Sequence, residues 1–294
     1  MTADIHIAPI SAGAHAEIDA LVRIAHWRYE HFDYRRGEVF EHPGYLARDS
    51  AGRLLAILSC ELDRPPVASI VYAVMAREVR SPCAVIAALL RPCEAEQRRA
   101  GAQALAFVGL APWLATCLER AGFVERTRVI TYQRFGNPPA LAGRCPAVLR
   151  LARPDDAELL AALDAAAFEP LWRYAAQNHR QQIGRLPYVA IAEIEGQPAG
   201  YVSCDILYAQ GHIVRLVVHP QWQRRGLGTW LLTEALRFFA RRDVMLVHLN
   251  TQADNVASRR LYERMGFQQT GEGVPALVKS LTNGDGGRHE RDTR

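Results

Sequence analysis

The sequence predicts an α/β protein whose helices pack on a mixed sheet, and it predicts two tandem copies of that fold within 294 residues. Two observations lead to this prediction. Short runs of aliphatic and β-branched residues alternate with amphipathic helical segments. Several short motifs also recur in the same order at an offset of about 144 residues. A chain of this length can form two ordinary domains.

Three pairs of motifs indicate the duplication. They are LSCEL at 58–62 with VSCDI at 202–206, LERAGF at 118–123 with YERMGF at 262–267, and the WRY ending at Tyr29 with the WRY ending at Tyr174. Because three matches keep one order and nearly one spacing, two copies of one fold explain them better than chance does.

The joint between the copies is marked by glycine and proline, which interrupt any regular pattern. The chain ends in a glycine-rich, charged stretch that has nothing to bury. We expect a first domain at 1–135, a linker at 136–147, a second domain at 148–281 and a disordered tail at 282–294.

The second copy begins with a strand, two helices and a hairpin. AVLRLARP predicts a strand, and DDAELLAALDAAAF predicts a helix because aspartates favour a helix N-terminus. WRYAAQNHRQQIG predicts a polar helix. YVAIAEIEGQPAGYVSCDI predicts two strands joined through a Gly-Gln turn.

The second copy continues with HIVRLVVHP, a strand that ends at a proline. TWLLTEALRFFARR predicts a helix with one apolar face, formed by Leu231, Leu232, Ala235, Leu236 and Phe239. VMLVHLN predicts a strand, and a helix capped by Asn255 ends at Gly266. The last strand is expected near PALVKSL at 275–281.

Composition excludes several classes of protein. A net charge of +4 with no lysine-rich tract argues against a nucleic-acid partner. The sequence contains no run of eighteen apolar residues, so we expect no membrane span. The N-terminus lacks the basic and apolar regions of a secretion signal, so we expect a cytoplasmic protein. Six cysteines without a CxxC pair or a histidine cluster predict reduced thiols and no metal site.

The stretch VVHPQWQRRGLGTWLL at 217–232 joins a strand to a helix through a turn with Gly226 and Gly228. The first amides of a helix are unpaired and point outward, and glycine lets that backbone approach a ligand closely. The amides from Arg224 to Thr229 can therefore ring a pyrophosphate, with arginine charge beside them. The plain alternative is a helix start whose glycines serve packing.

Two blocks together are more specific. VVHPxxQRRGLG, followed by LNTQADNVASRRLYERMGF, resembles the acetyl-CoA-binding core of the GNAT superfamily of acyl-CoA-dependent N-acetyltransferases. The first block matches that family at Gln223, Gly226 and Gly228, and the second at Asn255, Ala257, Tyr262, Gly266 and Phe267. The resemblance covers roughly residues 147–281 and implies a GNAT fold.

The resemblance also implies acetyl-CoA as a co-substrate, with no metal. Backbone groups of the strand end would bind pantetheine and the thioester carbonyl, where an N–H stabilises the developing oxyanion. Asn255 would hold the pantetheine arm. The full set implied to bind the coenzyme is Leu216, Val217, Val218, Gln223, Arg224, Arg225, Gly226, Leu227, Gly228, Thr229 and Asn255.

Two residues are catalytic candidates. Tyr262 corresponds to the family tyrosine that protonates the departing thiolate, although a core tyrosine on a helix face is the alternative. His212 occupies the place where some members carry a glutamate base, although a solvated histidine at a strand start is the simpler interpretation. Asp205, Glu193 or a chain of waters remain alternatives for the base.

The acceptor is expected to be a small-molecule or peptide amine, bound by the segment Phe168–Arg185. Trp172, Tyr174 and Glu169 are candidates to cage or pair with a cationic amine. Because WRY also occurs in the first copy, packing explains these residues equally well. The sequence does not indicate an oligomeric state.

The first copy lacks the chemical residues of the second. At an offset of about 144, the second copy's site falls on residues that cannot replace it: Gln223 on Val79, Gly226 on Pro82, Gly228 on Ala84, Asn255 on Ala111 and Tyr262 on Leu118. Proline has no amide for a phosphate, and leucine cannot donate a proton. We expect a degenerate first domain that stabilises the second or shapes its acceptor pocket.

Two functions follow. The first is an N-acetyltransferase in which a primary amine directly attacks acetyl-CoA in a ternary complex. The alternative is a non-catalytic acyl-CoA-binding regulatory module that uses the same turn.

Overall fold

The computed structural model describes residues 5–31, 42–138 and 145–282. It separates into two compact units. The first unit consists of Met1–Arg126 with Pro275–Arg294, and the second unit is Thr127–Val274. Residues 139–144 of the expected linker and 283–294 of the expected tail lie outside the described residues.

The first unit is a mixed sheet with helices on both faces. Its elements are β1 (His6–Pro9), α1 (His15–Ile24), β2 (Trp27–Glu30), β3 (Gly44–Arg48), β4 (Leu54–Arg64), β5 (Val67–Met75), α2 (Pro82–Arg99), β6 (Ala104–Val108) and α3 (Pro112–Arg120). The strand order is β1-β3-β4-β5-β6, and β2 also pairs with β5. One apolar cluster joins the sheet to α1, and another joins it to α2 and α3.

The second unit has a similar order of elements, but a second helix stands where the first unit has its second strand. Its elements are β7 (Val124–Phe135), β8 (Val148–Leu151), α4 (Ala157–Ala167), α5 (Ala176–Arg185), β9 (Tyr188–Ile194), β10 (Gln197–Leu207), β11 (Gln210–Val218), α6 (Leu227–Ala240), β12 (Leu246–Gln252), α7 (Val256–Arg264) and β13 (Gln268–Ser280). The strand order is β7-β12-β11-β10-β9-β8. Helices α4 and α5 cover one face, while α6 and α7 cover the other.

The helices follow the predicted patterns closely, with one exception. All five residues predicted for the apolar face of α6 are buried, and Asn255 caps α7. Helix α5 begins at Ala176 rather than at Trp172, because Trp172 ends a short 3₁₀ turn and Arg173 is extended. In the described part of the chain, no helix is long and apolar enough to cross a membrane.

The two WRY motifs differ in structure. In the first unit WRY lies in β2, and in the second it forms the end of a 3₁₀ turn and an extended segment. The two WRY motifs therefore do not lie in equivalent elements. In contrast, the motifs LSCEL and VSCDI lie in the corresponding strands β4 and β10.

The terminal strands cross the boundary expected from the sequence. Strand β7, at the end of the first repeat, pairs along Val129–Phe135 with β12 in the second unit. Strand β13 begins at Gln268, seven residues before the predicted strand, and its residues from Ala276 to Ser280 pair with β6 in the first unit. The sequence repeats and the compact units are therefore different divisions of the chain, and the expected domain limits stay a prediction.

Two of the six cysteines form a disulfide. Cys83 near the start of α2 is bonded to Cys117 of α3, so the expectation of reduced thiols is wrong for this pair. Cys60, Cys93 and Cys204 are buried free thiols.

The strand exchange predicts which fragment can fold. A fragment of residues 148–281 lacks β7, including the fully buried Tyr132, and leaves the backbone groups along one edge of β12 unpaired. We expect it to show no cooperative thermal transition by circular dichroism, whereas a fragment of residues 127–274 unfolds cooperatively. Equal melting behaviour of the two fragments would contradict this assignment of strands.

Candidate active site

Strand β11 separates from β12 at the centre of the second unit's sheet. It pairs with β10 along its length but with β12 only from Gly211 to Ile213. The N–H of His219, just after β11, donates to the carbonyl of Ala199 in β10. Because backbone groups alternate in direction along a strand, the N–H and C=O groups of Leu216 and Val218 face the gap, whereas those of Val217 face β10.

The turn before α6 presents free amides. Arg224 has φ 59° and Gly226 has φ 84°, both in the left-handed region, and Gly226 caps the helix without a side-chain hydrogen bond. Among the described residues, no well-formed hydrogen bond is made by the backbone N–H of residues 224–229. Alternating backbone conformations of this kind make an anion-binding concavity at a helix N-terminus. The residues present therefore fit a pyrophosphate.

The other residues of the turn have structural contacts. The side-chain amide of Gln223 donates to the Val218 carbonyl at 3.1 Å, so it takes one of the groups that face the gap. The Arg225 guanidinium lies 5.1 Å from the Trp222 ring. A Cβ at Gly228 would lie 3.3 Å from Leu261, so this glycine allows α6 to approach α7. Leu227 is buried, and Thr229 is half-buried in the first turn of α6.

Helix α7 carries Tyr262 and is capped by Asn255. The Asn255 side chain accepts a hydrogen bond from the Ser258 amide at 3.1 Å, which explains the helix cap. Tyr262 packs in the apolar cluster that also contains Leu216 and Val218. The predicted acid thus shares an apolar cluster with two residues of the open strand, and its role in catalysis stays a prediction.

Burial raises the pKa of Tyr262 to about 12, although a hydrogen bond with Ser258 and the charge of Arg215 lower it. The phenol is therefore protonated at neutral pH. A protonated phenol with a partner that stabilises its anion can donate a proton to a leaving thiolate.

His212 lies apart from this group. It pairs with Asp205 of β10 and His248 of β12, before the strands separate. Burial lowers its pKa, the charge of Asp205 opposes this, and that of His248 adds to it. Four residues of strand, about 13 Å, separate His212 from Leu216. A neutral imidazole there can accept a proton from the gap only through a chain of waters.

The predicted aromatic cage is already filled. The guanidinium of Arg215 lies 4.0 Å from the Phe168 ring centre and 4.3 Å from that of Tyr174. It also donates to the carbonyl of Trp172. The space beside the Tyr174 ring is therefore occupied by an internal cation, so the expectation that Tyr174 cages a cationic acceptor amine is wrong. The roles expected of the Trp172 ring and of Glu169 stay predictions.

Sequence reasoning missed the charged cluster beneath that cage. Arg215 forms an ion pair with Asp164, which is fully buried in α4. The Tyr201 hydroxyl donates to the same carboxylate at 2.5 Å. The sequence did contain a sign of this pair, because Asp164 and Arg215 are single charged residues within the apolar runs LLAALDAAAF and HIVRLVV.

His179 lies against this cluster with both ring nitrogens buried and without a hydrogen-bond partner. Its ring meets those of Tyr174 and Tyr201 edge-on. Burial lowers its pKa to about 4, the Asp164 charge opposes this, and the Arg215 charge adds to it. The imidazole is neutral in the folded protein at pH 7.

This histidine predicts a loss of stability in acid. Because its folded pKa of about 4 lies below the ordinary value of 6.5, the unfolded chain binds more protons between these values. Its contribution to the free energy of unfolding should fall by on the order of 3 kcal/mol as pH drops from about 6.5 to 4. Urea unfolding of His179→Leu should show a flatter pH profile than wild type over this window. Parallel profiles would contradict the assignment.

Within the described ranges, no group of three or more His, Cys, Asp or Glu side chains is arranged to hold a metal ion.

Comparisons with known proteins agree on one family. The model of the Acetyltransferase (GNAT) family matches residues 156–267. An uncharacterized N-acetyltransferase of Methanocaldococcus jannaschii is 30% identical over 106 residues, which cover 33% of this chain and 68% of that protein.

Other curated relatives match over shorter shares. The [ribosomal protein bS18]-alanine N-acetyltransferase of Escherichia coli is 30% identical over 25% of this chain and 50% of its own length. N-alpha-acetyltransferase 30 of Xenopus laevis is 27% identical over 32% of this chain and 37% of its own length. The chain thus spans half or less of these relatives.

Solved structures match over nearly the whole chain. A GCN5-related N-acetyltransferase from Sphaerobacter thermophilus has a TM-score of 0.61 at 16% identity, covering 94% of this chain and 96% of that one. A tandem GNAT protein from the clavulanic acid biosynthesis pathway has a TM-score of 0.59 at 15% identity, covering 96% and 100%. At these identities the comparison shows a shared fold.

Proposed function

Because the chain belongs to the acetyltransferase (GNAT) family, we propose that its second unit transfers an acetyl group from acetyl-CoA to a primary amine. The observation that carries this proposal is the gap between β11 and β12, which leaves backbone groups of Leu216 and Val218 free beside Tyr262. Relatives named N-acetyltransferases favour this reaction over a non-catalytic acyl-CoA-binding module.

The chain's residues support binding of acetyl-CoA in three places. The free amides of residues 224–229 suit its pyrophosphate. The free groups of Leu216 and Val218 suit pantetheine and the thioester carbonyl. Asn255 uses its side-chain oxygen as a helix cap, which leaves its NH₂ group for the pantetheine arm.

The transfer proceeds by direct attack in a ternary complex. The amine nitrogen forms a bond with the thioester carbon, the carbon–sulfur bond breaks, and the sulfur takes the Tyr262 hydroxyl proton. An N–H facing the gap stabilises the negative charge on the carbonyl oxygen. The amine proton leaves through water toward His212, which is the proposed base because its lowered pKa keeps it neutral.

The first unit is proposed to be a degenerate copy, and the pairing of its strands supports this. Strand β2 pairs with Tyr72–Met75 of β5, the stretch that corresponds to Arg215–Val218 because each follows the same break in register. Backbone groups that would meet a thioester are thus bonded to β2.

The cleft of the first unit is closed at a second place. The disulfide between Cys83 and Cys117 joins α2 to α3, the helices that correspond to α6 and α7. Pro82, the first residue of α2, also removes one of the helix-start amides. We propose that this unit serves as scaffold for the second.

The acceptor is proposed to be a small-molecule or peptide amine. The relatives whose names state an acceptor act on the alanine of a ribosomal protein or on alpha-amino groups. The amine panel for an assay should therefore contain peptides with free N-termini as well as small amines.

Thiol release from acetyl-CoA with that panel tests the reaction. We expect turnover with at least one amine, and Tyr262→Phe should lower kcat by about 10² to 10⁴ because the thiolate loses its acid. The matched control is Tyr188→Phe, which alters another tyrosine whose pKa is about 12 through burial and which should behave as wild type. No turnover with any amine, despite tight acetyl-CoA binding, would favour the binding module instead.

Calorimetry with acetyl-CoA tests the turn and the first unit together. Thr229→Glu places a carboxylate among the free amides, which suits the helix but repels phosphate, and should weaken binding about tenfold. Thr229→Gln, of similar shape but uncharged, should bind more tightly than the glutamate variant.

Wild type should bind one acetyl-CoA per chain, and a stoichiometry of two would contradict a degenerate first unit.

A further inference from the structure

The second unit contains a buried ion pair beside its open strand. Asp164 of α4 is wholly buried, and the Arg215 side chain is 11% exposed. The arginine Nε donates to Asp164 Oδ1 at 3.3 Å and its Nη2 to Oδ2. Such a pair is weak evidence for stability, because desolvation offsets most of the attraction between the charges.

A β-bulge places Arg215 at this point. Ser203 of β10 faces Arg215, and the next residue, Cys204, faces Ile213. Val214 is therefore an extra residue in β11, so Val214 and Arg215 both turn toward α4. The bulge lies where β11 leaves β12 and directly before Leu216.

Both members of the ion pair contact the segment between α4 and α5, residues 168–175. Arg215 donates to the carbonyl of Trp172 and lies between the rings of Phe168 and Tyr174. Asp164 accepts the backbone N–H of Tyr174 at 2.8 Å. The segment has little regular structure apart from a 3₁₀ turn, so these contacts fix its position.

The first unit has no such pair at the corresponding positions. Tyr72 follows the same bulge in β5, and Val22 lies as far into α1 as Asp164 lies into α4. Both pack in an apolar cluster. Since apolar residues replace a buried ion pair without loss of stability, its presence in the unit with the open strand indicates a role in function.

We propose that Arg215 is a positioning residue that holds segment 168–175 against the end of β11 and thereby sets acceptor binding. This inference rests on the proposed function of the second unit. The rings of Phe168 and Tyr174 are occupied by the guanidinium, so these two rings do not cage a second positive charge on the acceptor. Acetyl-CoA binding, which uses the gap and the turn before α6, does not depend on this pair.

The test removes the pair in the full chain without leaving a buried charge. The variant Arg215→Met with Asp164→Leu replaces both partners by apolar residues, and Arg215→Lys keeps the charge but loses the planar fork. The matched control is Arg150→Met, since Arg150 binds Asp156 and Glu193 in the same unit without touching the segment.

Three readouts separate positioning from general damage. In the double variant, amide hydrogen exchange across residues 168–175 should speed up at least tenfold. The KM for the best amine of the panel should rise about 10- to 100-fold, because charge-assisted hydrogen bonds are lost. The kcat should fall by less, under about tenfold, because loss of the Arg215 charge raises the pKa of Tyr262 and weakens it as an acid. The Kd for acetyl-CoA should stay within twofold. Arg215→Lys should fall between wild type and the double variant, and Arg150→Met should match wild type.

Unchanged exchange, an unchanged acceptor KM or an equal loss of acetyl-CoA affinity would overturn the inference while wild-type turnover still supports the proposed function. If wild type acetylates no amine, the proposed function fails and the inference fails with it.

Discussion

Unpaired backbone groups in the middle of a sheet are the constraint on which the rest of this structure depends. Strand β11 leaves β12 after Ile213, and buried N–H and C=O groups require partners. The second unit satisfies one carbonyl with Gln223, and we propose that the others bind acetyl-CoA. The first unit fills the same place with β2. The same position in the sheet is thus open in one unit and filled by a strand in the other.

The surroundings of the gap come from several distant parts of the chain. Tyr132 of β7 has its ring 6.0 Å from that of Tyr262 and donates its hydroxyl to Glu263 at 2.8 Å. Because β7 ends the first repeat, the second unit needs residues that precede its own repeat. On the other face, Asp164 and Arg215 fix the segment before α5. The site is therefore held from both faces of the sheet.

Local patterns predicted much of this. The apolar face of α6, the Asn255 cap and the glycine at the turn depend on periodicity and on backbone conformation within a few residues. The predictions that failed concern partners far apart in sequence. The rings of Trp172 and Tyr174 suggested a cage for a ligand, but an arginine some forty residues away, on β11, enters the aromatic space. Similarly, no spacing rule pairs Cys83 with Cys117.

The sequence by itself determined the order of strands and helices in the second copy, the turn before α6 and the family motifs, because these depend on residues close together in the chain. Only the tertiary structure decided which strand lies beside β12, where β13 divides between the units, and which cation fills the aromatic pocket. Such pairings depend on shape and burial between distant segments. A one-residue bulge at Val214, invisible in the pattern, decides on which face Arg215 lies.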